Sequence, residues 1–152
     1  TSYRTLQKMI YTTYGLLNNF MPWQEIPSIY NPDVFEAYKK MGYINIKKVP
    51  GVNYADASQI EKAYKENKEI LFKQIETYQP DVIIGGNTLC YFAEDLNFNE
   101  KSKKTAPATT FFFDSKRIYV DAYHPAYFSI KEQIYCDEII KGVKDWYFNI
   151  KQ

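Results

Sequence analysis

The chain has 152 residues, enough for one domain with a real core, and 45% of them are hydrophobic. A net charge of +1, from 19 Lys and Arg against 18 Asp and Glu, excludes a strongly basic nucleic-acid coat but is compatible with a local basic face. No apolar run nears the roughly 20 residues that span a membrane. No signal peptide is expected at the start, so a soluble, cytoplasmic protein is the expectation, with no membrane partner. The first residue is Thr1, not Met, which leaves room for a segment upstream.

Residues Tyr3 to Phe20 carry Leu6, Met9, Ile10, Thr13, Leu16 and Leu17 at helical spacing. Pro22, Pro27 and Pro32 mark the loop that follows. Pro32 suits the first turn of a short helix to Lys40, capped by Asn31 and stopped by Gly42. Tyr43 to Val49 is β-branched and ends at Pro50-Gly51, which predicts a strand with Asn45 in its middle. Asp56 to Gln79 predicts the longest helix. Ser58 and Glu61 read as its capping box, and Asn67 and Gln74 interrupt an otherwise apolar stripe.

Pro80 ends that helix, and Asp81 to Gly85 reads as a short buried strand. Gly85-Gly86-Asn87 turns it into a helix from about Thr88 to Asp95. Glycines at such a turn let a ligand approach the backbone, and helix N-termini favour anions. The third glycine of a dinucleotide fingerprint is absent. Asn97 to Thr109, with Lys101, Lys103 and Lys104, is expected to be a solvated, mobile loop. Thr110 to Phe113 and Arg117 to Ala122 predict a hairpin across Asp114-Ser115. Ile130 to Phe148 closes the chain as an amphipathic helix, with Ile134, Ile139, Ile140, Val143, Trp146 and Tyr147 as its buried stripe. Cys90 and Cys136 make neither a metal pattern nor a disulfide framework. Both are expected to be free core thiols.

The chain's single histidine, His124, follows the Ile118 to Ala122 strand and precedes Pro125. Proline restricts the residue before it to extended backbone, which holds the ring at the sheet edge. Ligands of open α/β sheets bind at the C-terminal ends of the strands. The element order predicts one domain over 1–152, three layers α/β/α around a mainly parallel sheet. Asn45, Asn87 and His124 are expected to share a cleft at one end of it.

Three segments in order resemble the uracil-DNA glycosylase superfamily, closest to the branch that usually carries an iron–sulfur cluster. They are Tyr43-Ile44-Asn45-Ile46-Lys47-Lys48-Val49-Pro50, the run Ile70 to Gly86 through Pro80, and Tyr123-His124-Pro125-Ala126-Tyr127. The resemblance implies a protein acting on DNA, single-stranded or with a base flipped out. It implies that Asn45 reads the Watson–Crick edge of that base, with Asn87 as a second base-binding residue. It implies that His124 donates to the carbonyl of the departing base, where charge grows as the glycosidic bond breaks. Gly85, Gly86 and Lys47, with the Lys101 to Lys104 stretch, would contact backbone or phosphate.

Two parts of the family pattern are missing. No Gly- and Pro-containing loop with a water-positioning carboxylate or amide stands before Asn45, where the carboxylates are Glu25, Asp33 and Glu36. Two cysteines cannot hold a cluster that takes four, so no metal or cofactor is expected. The sequence therefore carries two readings. One is a glycosylase-like hydrolase that removes a damaged or modified base. The other is a non-catalytic module that binds a base, nucleotide or nucleic acid in the same pocket.

Overall fold

From Val82 to Ala122 the chain lays down four strands of five residues: β1 Val82–Gly86, β2 Ser102–Ala106, β3 Thr109–Phe113 and β4 Ile118–Ala122. A computed structural model describes residues 3–48 and 56–151. It divides into two units. The larger contains the chain up to Met41 and everything from Asp81 onward; the smaller is Gly42–Pro80.

In the larger unit the strand order is β1-β4-β3-β2. β1 runs parallel to β4, with Val82 opposite Ile118 and Gly86 opposite Ala122. β4 is antiparallel to β3, and β3 to β2. The fold is therefore mixed α/β, and the expectation of a mainly parallel sheet holds for one pairing of three. The reason lies in residues 102–106. The Lys-rich stretch expected to be a mobile loop is strand β2, an edge strand whose lysines stay in solvent. Charged residues on an edge discourage pairing with another chain. The expected hairpin forms, and its turn is tied by Asp114, whose Oδ1 accepts from the backbone N–H of Lys116 and Arg117.

Alternation along β4 sets the two faces of the sheet. Ile118, Val120 and Ala122 join Phe111 in the main core with α4, Glu132–Asn149. Tyr119 lies on the other face, 5.2 Å from Phe98, which stacks at 4.4 Å on Phe112. Leu89–Phe92 is a 3-10 turn where a helix from about Thr88 to Asp95 is expected, and a second 3-10 turn, Phe98–Glu100, supplies Phe98. α4 buries Tyr135, Cys136, Ile139, Ile140, Val143 and Trp146, while the predicted Ile134 and Tyr147 are 45% and 47% exposed. Gly142 lets Phe111 press on the helix, since a Cβ there would lie 2.2 Å from the ring.

α1, Tyr3–Leu17, packs on α4. Its buried face includes Thr5, Lys8 and Thr12 along with Ile10 and Tyr11, and Leu17 is 53% exposed. The buried polar groups have partners: Thr12 Oγ1 donates to Lys8 O at 2.8 Å. A short helix α2, Pro32–Phe35, starts as expected, with the Asn31 side chain accepting from Asp33 N. A 3-10 segment carries on from it to Lys40.

In the smaller unit, Tyr43–Lys48 forms no strand. The remaining residues of the expected strand and its Pro-Gly stop lie outside the described residues. Its helix α3, Ala57–Tyr78, is capped by Asp56, whose Oδ1 accepts from Gln59 N and Ser58 Oγ. The expected Ser58 box is replaced by this cap. The two polar interruptions of the stripe hold the irregular segment to the helix. Asn67 Nδ2 donates to Ile46 O at 3.2 Å, and Lys48 Nζ donates to Gln74 Oε1 at 2.8 Å. The Asn67 amide thus takes one backbone carbonyl of the segment, and Gln74 takes the Lys48 side chain.

Candidate functional site at the ends of β1 and β4

Both parallel strands end at the same edge, and the residues after them meet there. Asn87, in the left-handed region at φ 61°, donates its backbone N–H to Ala122 O at 2.7 Å. The β1 turn is thereby fastened to the end of β4. A Cβ on Gly86 would lie 3.0 Å from Pro125 Cδ and 3.4 Å from His124 Cα. A Cβ on Gly85 would lie 2.4 Å from Leu89 Cγ. Neither glycine has a positive φ. They let the chain itself come close, and the expectation that they open the backbone to a ligand is corrected accordingly. The Thr88 end begins only a four-residue 3-10 turn, so the expected helix N-terminus is not there.

His124 is exposed and opens a tight turn. Its carbonyl accepts from Tyr127 N at 2.8 Å, and its Nδ1 accepts from Ala126 N at 3.2 Å. A ring nitrogen that accepts carries no proton, so the neutral imidazole keeps its proton on Nε2. In its neutral form the ring thus presents an Nε2–H donor. Beside it the rings of Tyr123 and Tyr127 stack at 5.0 Å and 17°. Phe128, 6.0 Å from Tyr127, is 85% exposed.

Beneath the turn lies Lys8. It is 8% exposed, and Nζ donates to Tyr127 O and Ile130 O, both at 2.9 Å. It also sits 5.3 Å from the Tyr135 ring centroid. Burial lowers the Lys8 pKa, opposed by the Cys136 and Glu132 charges. Glu132 is raised chiefly by burial, although Trp23 and Gln7 donate to it and Lys8 attracts it. Cys136 is buried, and its thiol is pushed up to about 12, again mostly by burial. Cys90 is exposed, which corrects its expected place in the core.

Asp121 is the charged residue of β4, opposite Gly85 in the register. Burial raises its carboxyl from the ordinary value, and the Cys90 thiol is raised by its own burial and then by the Asp121 charge. A carboxyl displaced by burial at the end of a parallel strand is a functional candidate. The sequence offered one signal for it, an acid inside an otherwise apolar strand. Lys8 offered none, because lysines are almost never fully buried.

The structure therefore brings together Gly85, Gly86, Asn87 and His124. Asn45, exposed, and Lys47, half-buried, belong to the Gly42–Pro80 unit. Lys101 is engaged with Asp114 at 2.7 Å and Lys104 with Asp145 at 2.8 Å. A phosphate at either would have to displace a carboxylate. A cavity of about 400 Å³ opens at the opposite end of β4, lined by Phe111, Phe113, Ile118 and Trp146. Its rim charges, Lys104 and Asp145, neutralise each other. It lacks the convergent unpaired polar groups of a ligand site. Among the described residues, no three His, Cys, Asp or Glu side chains gather as a metal site, and no helix is long and apolar enough to cross a membrane. No protein-family model matches the chain, and no curated protein or solved structure matches it either.

Proposed function

We propose that the chain is a uracil-DNA glycosylase-like protein that takes a flipped-out base at the ends of β1 and β4, with His124 as the donor to that base. The observation that supports this reading is the Ala126 N–H to Nδ1 bond, which leaves the proton on Nε2. When the bond between base and sugar breaks, its electron pair moves onto the base. The base carbonyl oxygen then gains negative charge. A donor already in place stabilises that state more than the bound substrate, and so acts on rate.

Single-turnover release of uracil from single- and double-stranded oligonucleotides tests this. His124→Ala should slow release by about 10²–10³ while DNA affinity changes little. Equal rates in wild type and variant would remove His124 from the chemistry. Asn45→Asp tests whether the smaller unit takes part. An ionised aspartate accepts but does not donate, so preference among bases should change.

A second reading, a non-catalytic module that binds a base or nucleic acid, is favoured by the stacked Tyr123 and Tyr127 rings and the 85% exposed Phe128. Aromatic faces hold bases by stacking without any chemistry. A wild type that binds oligonucleotides but releases no base, modified or not, selects this reading.

A further inference from the structure

We propose that Lys8 is a positioning residue for His124, its ammonium strapping the His124 turn to α1 through the carbonyls of Tyr127 and Ile130. This rests on the reading of His124 as the working donor. A long lysine side chain ordinarily lays its stem on the surface and keeps its head in water. Lys8 does the reverse, with 8% of it exposed and the head turned inward. Two of its three protons go to loop carbonyls at 2.9 Å. The nearby carboxylate, Glu132, uses Oε1 for Trp23 Nε1 at 3.1 Å and Gln7 Nε2 at 3.4 Å. The ammonium is therefore given to the loop backbone.

The connection to the imidazole is short. Tyr127 is held at both ends of its backbone, its C=O by Lys8 and its N–H by His124 O. Those contacts fix the turn in which Ala126 N–H reaches Nδ1. From the other side, the Gly86 backbone abuts Pro125. His124 thus has one support from β1 and one from α1. Only the second is a single side chain that can be removed without touching the turn. Charge-assisted bonds to carbonyls are among the stronger single restraints available to a protein.

The chain has one histidine, so its ring signals in nuclear magnetic resonance are unambiguous. The test compares wild type, Lys8→Met and Thr12→Val. Lys8→Met keeps the stem and loses both bonds. Thr12→Val disturbs the same buried face of α1 but leaves the strap. Wild type and Thr12→Val should show imidazole ¹⁵N and ¹³Cδ2 shifts of a single Nε2–H tautomer. In Lys8→Met those shifts should move toward the tautomer mixture of an unconstrained histidine side chain. Folded Lys8→Met with wild-type ring signals would overturn the proposal. If Lys8→Met does not fold, the wild type carries the test. An ammonium held by two carbonyls gives a slowly exchanging Nζ proton signal, and its absence would equally overturn the strap. Where wild type releases uracil, Lys8→Met should slow release by about 10² through misplacement of the donor. A wild type that releases no base sinks the glycosylase reading and leaves the tautomer measurement standing.

Discussion

Asp121 shows how one residue can carry a cost that its strand neighbours do not. It lies between Val120 and Ala122, which are 0% and 4% exposed. Its carboxyl is raised from the ordinary 3.8 by burial. A raised folded value means the folded state holds its proton more tightly than the unfolded chain. The contribution to stability is then fully present below about pH 3.8 and is lost as pH rises through the folded value. Asp121→Asn removes the charge at nearly constant shape. It should raise the melting temperature at pH 7, and its advantage should vanish in acid. A variant that melts below wild type at pH 7 would mean the ionised carboxylate has a stabilising role. Such an acid at the edge that carries His124 is the kind of group a functional site keeps despite its cost.

Among the elements, α3 offers the plainest prediction. Its first turn is fastened by Asp56, whose Oδ1 meets Gln59 N at 2.9 Å. Asp56→Ala should lower stability, as the loss of an N-cap does, while Ser58→Ala should cost less. Denaturant titration of both variants decides between the two caps. The three long helices α1, α3 and α4 and the β3–β4 hairpin were legible because periodicity and turn residues report local backbone preference, whereas the helix expected from Thr88 is only a 3-10 turn. The buried faces were less legible. Counting apolar side chains placed Leu17 in the core, whereas Thr5, Lys8 and Thr12 occupy it. Polar residues go inside when a specific partner waits, and the partner of Lys8 is 119 positions away. Tyr43–Lys48 failed as a strand for a similar reason: Asn67, distant in sequence, claims the Ile46 carbonyl, and Gln74 holds the Lys48 side chain. The Lys101–Lys104 stretch failed as a loop because strand propensity at an edge is decided by the neighbour, here Thr109–Phe113. Of the site, the His124 turn and its meeting with Gly86 and Asn87 could be anticipated from strand ends, and its supports could not.

At the scale of the molecule, two of the three strand pairings are local and one is distant. β2, β3 and β4 are consecutive and antiparallel, so their pairing closes only short loops. β1 has to find β4 across the whole of that meander, and Lys8 reaches the far end of the chain. Contacts between distant segments require the larger entropy loss before they return any energy. The consequence is an order in time. The meander should be protected first, and the β1 pairing and the α1 strap should come after it. Pulsed hydrogen exchange during refolding would see this. Amides paired between β3 and β4 should gain protection before the Asn87 amide, which is bonded to Ala122 O. Simultaneous protection would mean that β1 belongs to the folding nucleus. If the order holds, the imidazole reaches its final geometry only after the meander has formed, and a newly made chain acquires most of its sheet before it acquires its donor.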